Sequence, residues 1–340
     1  MKTSEPSMKD VANLANVSTA TVSHVINNSC NVNDKTKAKV NKAIDELNYK
    51  VNLTARKLRT GNSKIVGFIV SNLAHYFYQE IGAKIEEVLN KNGYELFYIN
   101  SHENPEKEIQ QLDLCKLEDF AGIIVVPVHD DWSEIKTLYD SKPMVFIDRK
   151  PKNIRRDFVL ITNTQSAFEL TTMMINKGAK KIAFIAPQLD NTMQLRLDGF
   201  RDAMVQNNLV VDEDCILFST HKTKTYNELA SDKEWEDLLD YVMNEKNVDC
   251  IISGNALFAF VAISYFKKNN IKLQKDFLFG TFDNAFWMLN LDEEIIVVDQ
   301  NTSEIGEKAA NLLLKRINKE PFAYDEYCID TKIISINENK

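Results

Sequence analysis

Residues 10–27 read DVANLANVSTATVSHVIN, and this stretch decides the fold of the first part of the chain. Apolar residues recur at helical spacing on both sides of the pair Asn16-Val17, a pattern typical of two short helices joined by a tight turn. Ser7 and Ser18 stand where they can cap the two helices. The helices are expected to pack through one apolar face, formed by Val11, Ala12, Ala15, Val17, Val22 and Val25.

The outer face of the second helix is expected to carry small and polar residues, which are Thr19, Ala20, Thr21, Ser23 and His24. Side chains of this size let bases and phosphates approach, and a helix-turn-helix places its second helix in the major groove of DNA. The pattern alone favours DNA binding over a structural helical hairpin. A third helix, from about Asp34 to Leu47, completes a small all-α domain.

The net charge of −8 is unevenly distributed along the chain. Residues 1–61 contain ten basic and five acidic residues, a net charge of +5, whereas the other residues contain 31 basic and 44 acidic ones, a net charge of −13. This division indicates that the basic head binds a polyanion and that the acidic body does not.

The composition and the short motifs argue against several classes of protein. Hydrophobic residues make up 44% and charged residues 26% of the chain, as in ordinary soluble proteins. The start of the chain, MKTSEPSMKDVANLA, lacks the apolar core of an export signal, and no apolar run is long enough for a membrane helix, so a cytoplasmic location is expected. The cysteines and histidines are scattered, and the nucleotide-binding and hydrolase motifs are missing. We therefore expect no metal, no cofactor and no enzymatic activity.

After Lys64 short, apolar, β-branched runs alternate with amphipathic helical stretches. Such alternation is typical of parallel sheets covered by helices on both faces. The runs are too many for one sheet, so the pattern predicts an α/β body with two doubly wound parallel sheets. The predicted strands are 65–70, 95–100, 122–127, 144–148, 158–162, 181–186, 250–253, 277–281, 295–298 and 328–334. Helices are predicted, among other places, over 80–91, 169–177, 195–207 and 258–268.

Three blocks of sequence, in this order, resemble the LacI/GalR family of bacterial transcriptional regulators. They are MKDVANLANVSTATVSHVIN from Met8, DKTKAKVNKAIDELNY from Asp34, and NLTARKLRTGNSKIVGFIV from Asn52. The resemblance continues to about Ile334. It implies a helix-turn-helix DNA-binding domain over 1–51, a hinge helix and linker over 52–63, and an effector-binding and dimerisation domain over 64–340.

The resemblance also implies how the head binds DNA. Thr19, Ala20 and His24 match recognition-helix positions that face base edges, and many relatives have arginine in place of His24. Residues 52–58 match a hinge helix that folds on the operator, in which Leu58 wedges into the central base step. The implied DNA-binding residues are Thr19, Ala20, Thr21, Ser23, His24, Asn52, Ala55 and Leu58.

The body resembles the type I periplasmic-binding-protein fold, in which two subdomains clamp a ligand. The expected subdomains are 64–161 with 293–322, and 162–292 with 323–340. The resemblance implies that Arg196 and Asp283 hold the effector from one subdomain while Asp148 and the loop 75–77 close from the other. The effector-binding residues implied in this way are His75, Tyr76, Phe77, Asp148, Arg196, Asn255 and Asp283. Arginine and aspartate together suit a polyhydroxylated ligand.

Together these features predict a homodimer that binds double-stranded, pseudo-palindromic operator DNA and represses genes of carbohydrate uptake or metabolism. The chain stops soon after the last predicted strand, without the C-terminal heptad helix of tetrameric relatives, which is why a dimer is expected. The expected effector is a sugar, a sugar acid or a sugar phosphate. A purine or a phosphoprotein corepressor is the alternative, because Tyr76 and Phe77 also suit a planar base.

Overall fold

The structure is a computed structural model that describes residues 6–27, 32–49, 63–219 and 233–338, apart from 136, 138, 139 and 141. The chain divides into two compact units, Met1–Ser63 and Lys64–Lys340. Among the described residues, no helix is both long and apolar enough to cross a membrane.

The described part of the first unit consists of helices α1 (Met8–Ala15), α2 (Thr19–Asn27) and α3 (Asp34–Glu46). Ser7 and Asp10 form the capping box at the start of α1, because each side chain bonds to the other residue's backbone N–H. The Ser18 hydroxyl accepts from the backbone of Thr21 at 3.1 Å and so caps α2. Between the two helices, Asn16 adopts a left-handed conformation, with φ of 54°, which reverses the chain.

One apolar cluster holds the three helices together, as the sequence predicted. Its buried members are Val11, Ala12, Ala15, Val22, Val40, Ala43 and Tyr49. Val17, Val25 and Ile44 pack against this cluster and are partly buried. The whole inner face of the helix-turn-helix is therefore occupied by its own core.

The first sheet of the second unit has six parallel strands in the order β11-β5-β4-β3-β1-β2. Its strands are β1 (Ile65–Val70), β2 (Glu95–Asn100), β3 (Gly122–Val125), β4 (Met144–Ile147), β5 (Asp157–Ile161) and β11 (Glu326–Ile329). Helices α4 (Tyr76–Lys91) and α10 (Thr302–Ile317) cover one face, and α5 (Pro105–Leu117) packs on the other. The central strands β1, β3 and β4 are buried on both faces and apolar throughout, whereas the edge strands β2 and β11 are more exposed and contain polar residues.

The second sheet has the order β12-β10-β9-β8-β6-β7, and all its strands are parallel except β12, which runs antiparallel to β10. Its strands are β6 (Ile182–Ala186), β7 (Ile216–Phe218), β8 (Cys250–Ser253), β9 (Leu278–Phe282), β10 (Ile295–Asp299) and β12 (Lys332–Ile336). One face is covered by α6 (Asn163–Asn176) and α7 (Asn191–Gln206), and the other by α8 (Lys233–Asp240) and α9 (Ala256–Lys268). The expected pair of doubly wound sheets is thus confirmed.

Two features differ from the sequence-based expectations. The stretch 328–334, predicted as one strand, forms two short strands, β11 and β12, which belong to different sheets. The sheets also divide the body differently, because β10 lies in the second sheet and β11 in the first. The subdomain boundaries after residue 292 are therefore wrong: the chain changes sheets at residues 300–301 and 330–331. Apolar runs look alike in either sheet, so the sequence pattern does not show which sheet a strand joins.

Candidate functional site

Many of the buried polar side chains that the structure describes line a cleft between the two sheets of the second unit. The lining residues follow the carboxyl ends of parallel strands: His75 follows β1, Glu103 follows β2, Asp148 follows β4, Asn255 follows β8 and Asp283 follows β9. Open α/β sheets bind ligands in the crevice outside the carboxyl ends of their strands, between the loops that follow them.

Six of the seven predicted effector-binding residues line this cleft, namely His75, Phe77, Asp148, Arg196, Asn255 and Asp283. The prediction for Tyr76 differs from the structure, because Tyr76 is not among the lining residues. Its ring packs 5.0 Å from the ring of Phe286, and its hydroxyl donates to Glu80 at 2.7 Å. Tyr76 is the first residue of α4, and successive helical residues point about 100° apart, so Tyr76 and Phe77 face different directions.

Arg196 is held by α7 and is only 2% exposed. Its guanidinium donates to the Asn163 side chain at 2.8 Å, to the carbonyl of Gly254 at 2.6 Å and to Gln300 at 3.2 Å. It also lies over the ring of Phe282, at 4.0 Å from the ring centroid. Burial lowers the pKa of Arg196, against the opposing effect of Asp283. Arg196 is therefore a preorganised cation whose orientation is fixed from several sides.

Asp283 and Asn255 bind the start of α9. One Asp283 oxygen accepts from the backbone of Ala256 at 3.0 Å, and the other accepts from the Gln300 amide. The Asn255 side chain caps α9 by accepting from Phe258 at 3.2 Å. Both residues thus satisfy unpaired N–H groups of a helix N-terminus while they line the cleft.

His75 reaches across the cleft from the first subdomain, and its Nε2 lies 3.6 Å from an Asp283 oxygen. Burial lowers the pKa of His75, although the negative charge of Asp283 opposes this shift. The imidazole is therefore neutral near pH 7. Its Nδ1 is buried and has no hydrogen-bond partner.

Asp148 accepts a hydrogen bond from the Tyr78 hydroxyl at 2.8 Å. Burial raises the pKa of Asp148, and the nearby Arg149 and Arg196 partly oppose this shift. Both Asp148 and Asp283 have positive φ angles, 67° and 69°, directly after their strands. Positive φ is uncommon for residues other than glycine and concentrates at functional sites, because the surrounding fold must hold the conformation in place.

The cleft contains a second charged group, centred on Arg149, that was not predicted from the sequence. Its guanidinium binds Glu103 through two bonds of 2.8 Å and lies 3.3 Å from Asp190 of the second subdomain. The Gln188 amide also donates to Glu103, at 3.4 Å, and Thr192 donates to the Asp148 carbonyl at 3.2 Å. These contacts join the two subdomains across the cleft. The one sequence signal for them was the adjacency of Arg149 to Asp148.

The predicted DNA-binding residues of the head lie on α2. Thr19 and Ala20 are exposed, whereas Thr21, Ser23 and His24 are half-buried. The Thr21 hydroxyl lies 2.9 Å from that of Ser18, so this side chain contributes to the helix cap. The other predicted DNA-binding positions, Asn52, Ala55 and Leu58, lie outside the described residues.

Comparisons with known proteins agree with this two-part architecture. Residues 7–52 match the bacterial regulatory proteins of the lacI family, and residues 66–321 match the periplasmic binding protein domain. The chain is 30% identical to the HTH-type transcriptional repressor PurR of Histophilus somni, over 92% of both chains. It is also 30% identical to the HTH-type transcriptional regulator RegA of Clostridium saccharobutylicum, over 96% of this chain and 97% of RegA.

A similar fold occurs in the solved complex of the transcriptional regulator CelR with cellobiose. That structure superimposes with a TM-score of 0.70 and 23% identity, over 98% of this chain and 99% of CelR. The helix-turn-helix, the two-sheet body and the relatives that share both parts lead to one conclusion: the chain belongs to the LacI family of DNA-binding transcriptional regulators.

Proposed function

We propose that this regulator is a homodimeric repressor of genes for carbohydrate uptake or metabolism, and that a small polyhydroxylated effector binds in the cleft. The observation that carries the proposal is the convergence of Asp148, Arg196 and Asp283 from both subdomains on one buried space. Carboxylates accept hydroxyl protons and guanidiniums donate to hydroxyl oxygens, so this set matches a sugar ring. The similarity to a regulator solved with cellobiose supports the same class.

Regulation follows from the contacts across the cleft. His75 approaches Asp283, and Arg149 approaches Asp190, from opposite subdomains. A ligand that bonds to both subdomains stabilises the closed cleft more than the open one, and it shifts the equilibrium by that difference in affinity. If operator DNA prefers one of the two states, ligand and DNA affinities change each other by the same factor.

The first test is a thermal-shift screen of the full chain with sugars, sugar acids, sugar phosphates and purines. A ligand of the native state raises the melting temperature, and at a concentration of 100 times Kd it adds roughly 2.7 kcal/mol to stability. The ligands found are then titrated against the protein on a pseudo-palindromic operator selected in vitro. The proposal expects a sugar-type ligand to change operator affinity at least about fivefold, the lower end of typical allosteric coupling.

Two variants assign the effect to the cleft. Asp148→Asn removes a cleft carboxylate at constant size and should abolish both the thermal shift and the change in operator affinity. Asp202→Asn makes the same change at an exposed position of α7 and should preserve both. Purines remain the second candidate, because the chain is 30% identical to a repressor named PurR. Stabilisation by purines alone would replace the carbohydrate proposal with that candidate.

A further inference from the structure

The charges that face the cleft do not cancel. Four carboxylates line it (Glu103, Asp148, Asp190 and Asp283), whereas Arg149 and Arg196 are the two basic side chains among the described lining residues. His75 adds no charge at neutral pH, because burial lowers its pKa. With all four carboxylates ionised, the described lining therefore carries a formal net charge of −2. The proposed class of ligands includes neutral sugars as well as anionic sugar acids and sugar phosphates, and this charge distinguishes between them.

Both cations of the cleft are already engaged. Arg149 uses two donors on Glu103 and lies beside Asp190. Arg196 donates to three neutral acceptors and lies over an aromatic ring. A carboxylate or phosphate entering this space loses its hydration and meets surplus negative charge, while both guanidiniums are already held by acceptors of the protein.

The unsatisfied polar atoms point to the complementary chemistry. Three buried side-chain nitrogens of the lining have no hydrogen-bond partner: Asn72 Nδ2, His75 Nδ1 and Arg149 Nε. The Asn72 and Arg149 nitrogens are donors and need an acceptor. With its proton on Nε2 facing Asp283, His75 has a lone pair on Nδ1 and needs a donor. A hydroxyl group serves both needs, whereas a deprotonated carboxylate or phosphate oxygen can only accept.

We propose that the effector is an uncharged polyhydroxylated molecule, and that the cleft selects against the phosphorylated and carboxylated forms of the same sugar. The surplus carboxylates provide the selection, and the unsatisfied nitrogens hold the hydroxyl groups. This inference rests on the proposed function and narrows the ligand class of the same site.

Calorimetric titration of the full chain with matched sets tests the inference. Each set holds a neutral sugar, its aldonic acid and its phosphate ester, with glucose, xylose and cellobiose as parent sugars. We expect a neutral member to bind at least tenfold more tightly than both anionic members of its set. Tighter binding of an anionic member overturns the charge inference and leaves a sugar-type effector in place. If no member of any set binds, the carbohydrate proposal fails as well, and this inference fails with it.

A charge variant tests the cause of the selectivity. Glu103→Gln removes one cleft charge at nearly constant size, and it should reduce the ratio between neutral and anionic Kd values at least threefold. Glu106→Gln makes the same change at an exposed position of α5 and should leave the ratio unchanged. An equal ratio in both variants contradicts the inference. Melting temperatures of the two variants show that both are folded before they are titrated.

Discussion

Replacing Arg196 by methionine keeps most of the apolar stem of this residue and removes its guanidinium. Three acceptors then lose their donor in a buried place: the Asn163 side chain, the Gly254 carbonyl and the Gln300 side chain. The two side chains can reorient, but the Gly254 carbonyl belongs to the backbone and cannot. The contact with the ring of Phe282 is lost as well.

The expected cost follows from these contacts. A buried group left without its partner costs about 1–3 kcal/mol. The nearby carboxylates of Asp148, Asp190 and Asp283 also lose a positive charge that partly compensates theirs, and removing one member of such a buried group of charges costs roughly 3–5 kcal/mol. We therefore expect Arg196→Met to lower the free energy of unfolding of the second unit by about 4 kcal/mol, a large part of the 5–15 kcal/mol that is typical of a domain. Arg196→Lys keeps the positive charge but loses the planar guanidinium, so its free energy of unfolding should lie between that of wild type and that of Arg196→Met.

Urea unfolding followed by tryptophan fluorescence measures this difference in the full chain. All three tryptophans, at 132, 235 and 287, lie in the second unit, so the signal reports on that unit alone. Arg201→Met is the matched control, because Arg201 lies on the same helix and forms an exposed ion pair with Glu213. Such pairs contribute about 0–1 kcal/mol. A cost of Arg196→Met no larger than that of Arg201→Met would refute the argument.

Further predictions concern the helix cap, the helix packing, the pH dependence and the DNA contact. Ser7→Ala should destabilise α1 by about 1 kcal/mol and speed hydrogen exchange of the head amides, and unchanged exchange would contradict the cap. Gly199→Ala should lower the urea midpoint, because a Cβ there would lie 2.0 Å from the Thr164 carbonyl oxygen; an unchanged midpoint would mean that α6 and α7 separate freely. Burial raises the pKa of the Glu103 carboxyl, but the charge of Arg149 and the hydrogen bonds from Arg149, Ser71 and Gln188 together lower that pKa overall. The stability that wild type gains over Glu103→Gln should therefore be present above the unfolded pKa of about 4.3, and it should shrink as the pH falls through the lower folded value. A difference in urea stability between the two proteins that does not change with pH would contradict a stabilising Glu103–Arg149 ion pair. Leu58→Ala should reduce both operator affinity and DNA bending in gel-shift assays, and equal bending by both proteins would show that Leu58 is no wedge.

The sequence predicted most strands well and most helix starts poorly, for a physical reason. The bounds of β1 and β8 were predicted to the residue, because these buried parallel strands are almost continuous apolar runs. By contrast, α6 was expected to start at residue 169 and begins at Asn163. Its first turn is polar, because it lies near the cleft, and hydrophobic periodicity does not detect such a turn.

The same limit explains which cleft residues were predicted. Arg196 and Asp283 were found through the family resemblance. Glu103 and Asp190, which are 87 residues apart, acquire their role only when both approach Arg149. Nothing local distinguishes these two carboxylates from the many acidic residues on the surface. Long-range ion pairs between subdomains are a property of the folded chain and have no sequence pattern of their own.

The places where the chain changes sheets have a mechanical consequence. In the described part of the second unit, the backbone passes between the sheets three times, at Thr162, at residues 300–301 and at residues 330–331. Two of these connections are tied together, because the hydroxyls of Ser166 and Thr331 lie 2.7 Å apart and Ser166 also donates to the Thr162 carbonyl. We expect three short connections of this kind to oppose sliding of the two sheets more strongly than rotation between them.

Gln300 belongs to one of these connections and also forms hydrogen bonds with both Arg196 and Asp283. A molecule that displaces either bond would therefore act on a residue of the connection itself. Inserting one residue into the connection at residues 300–301 should therefore weaken the link between ligand binding in the cleft and the movement of the subdomains, even though every residue of the cleft is retained.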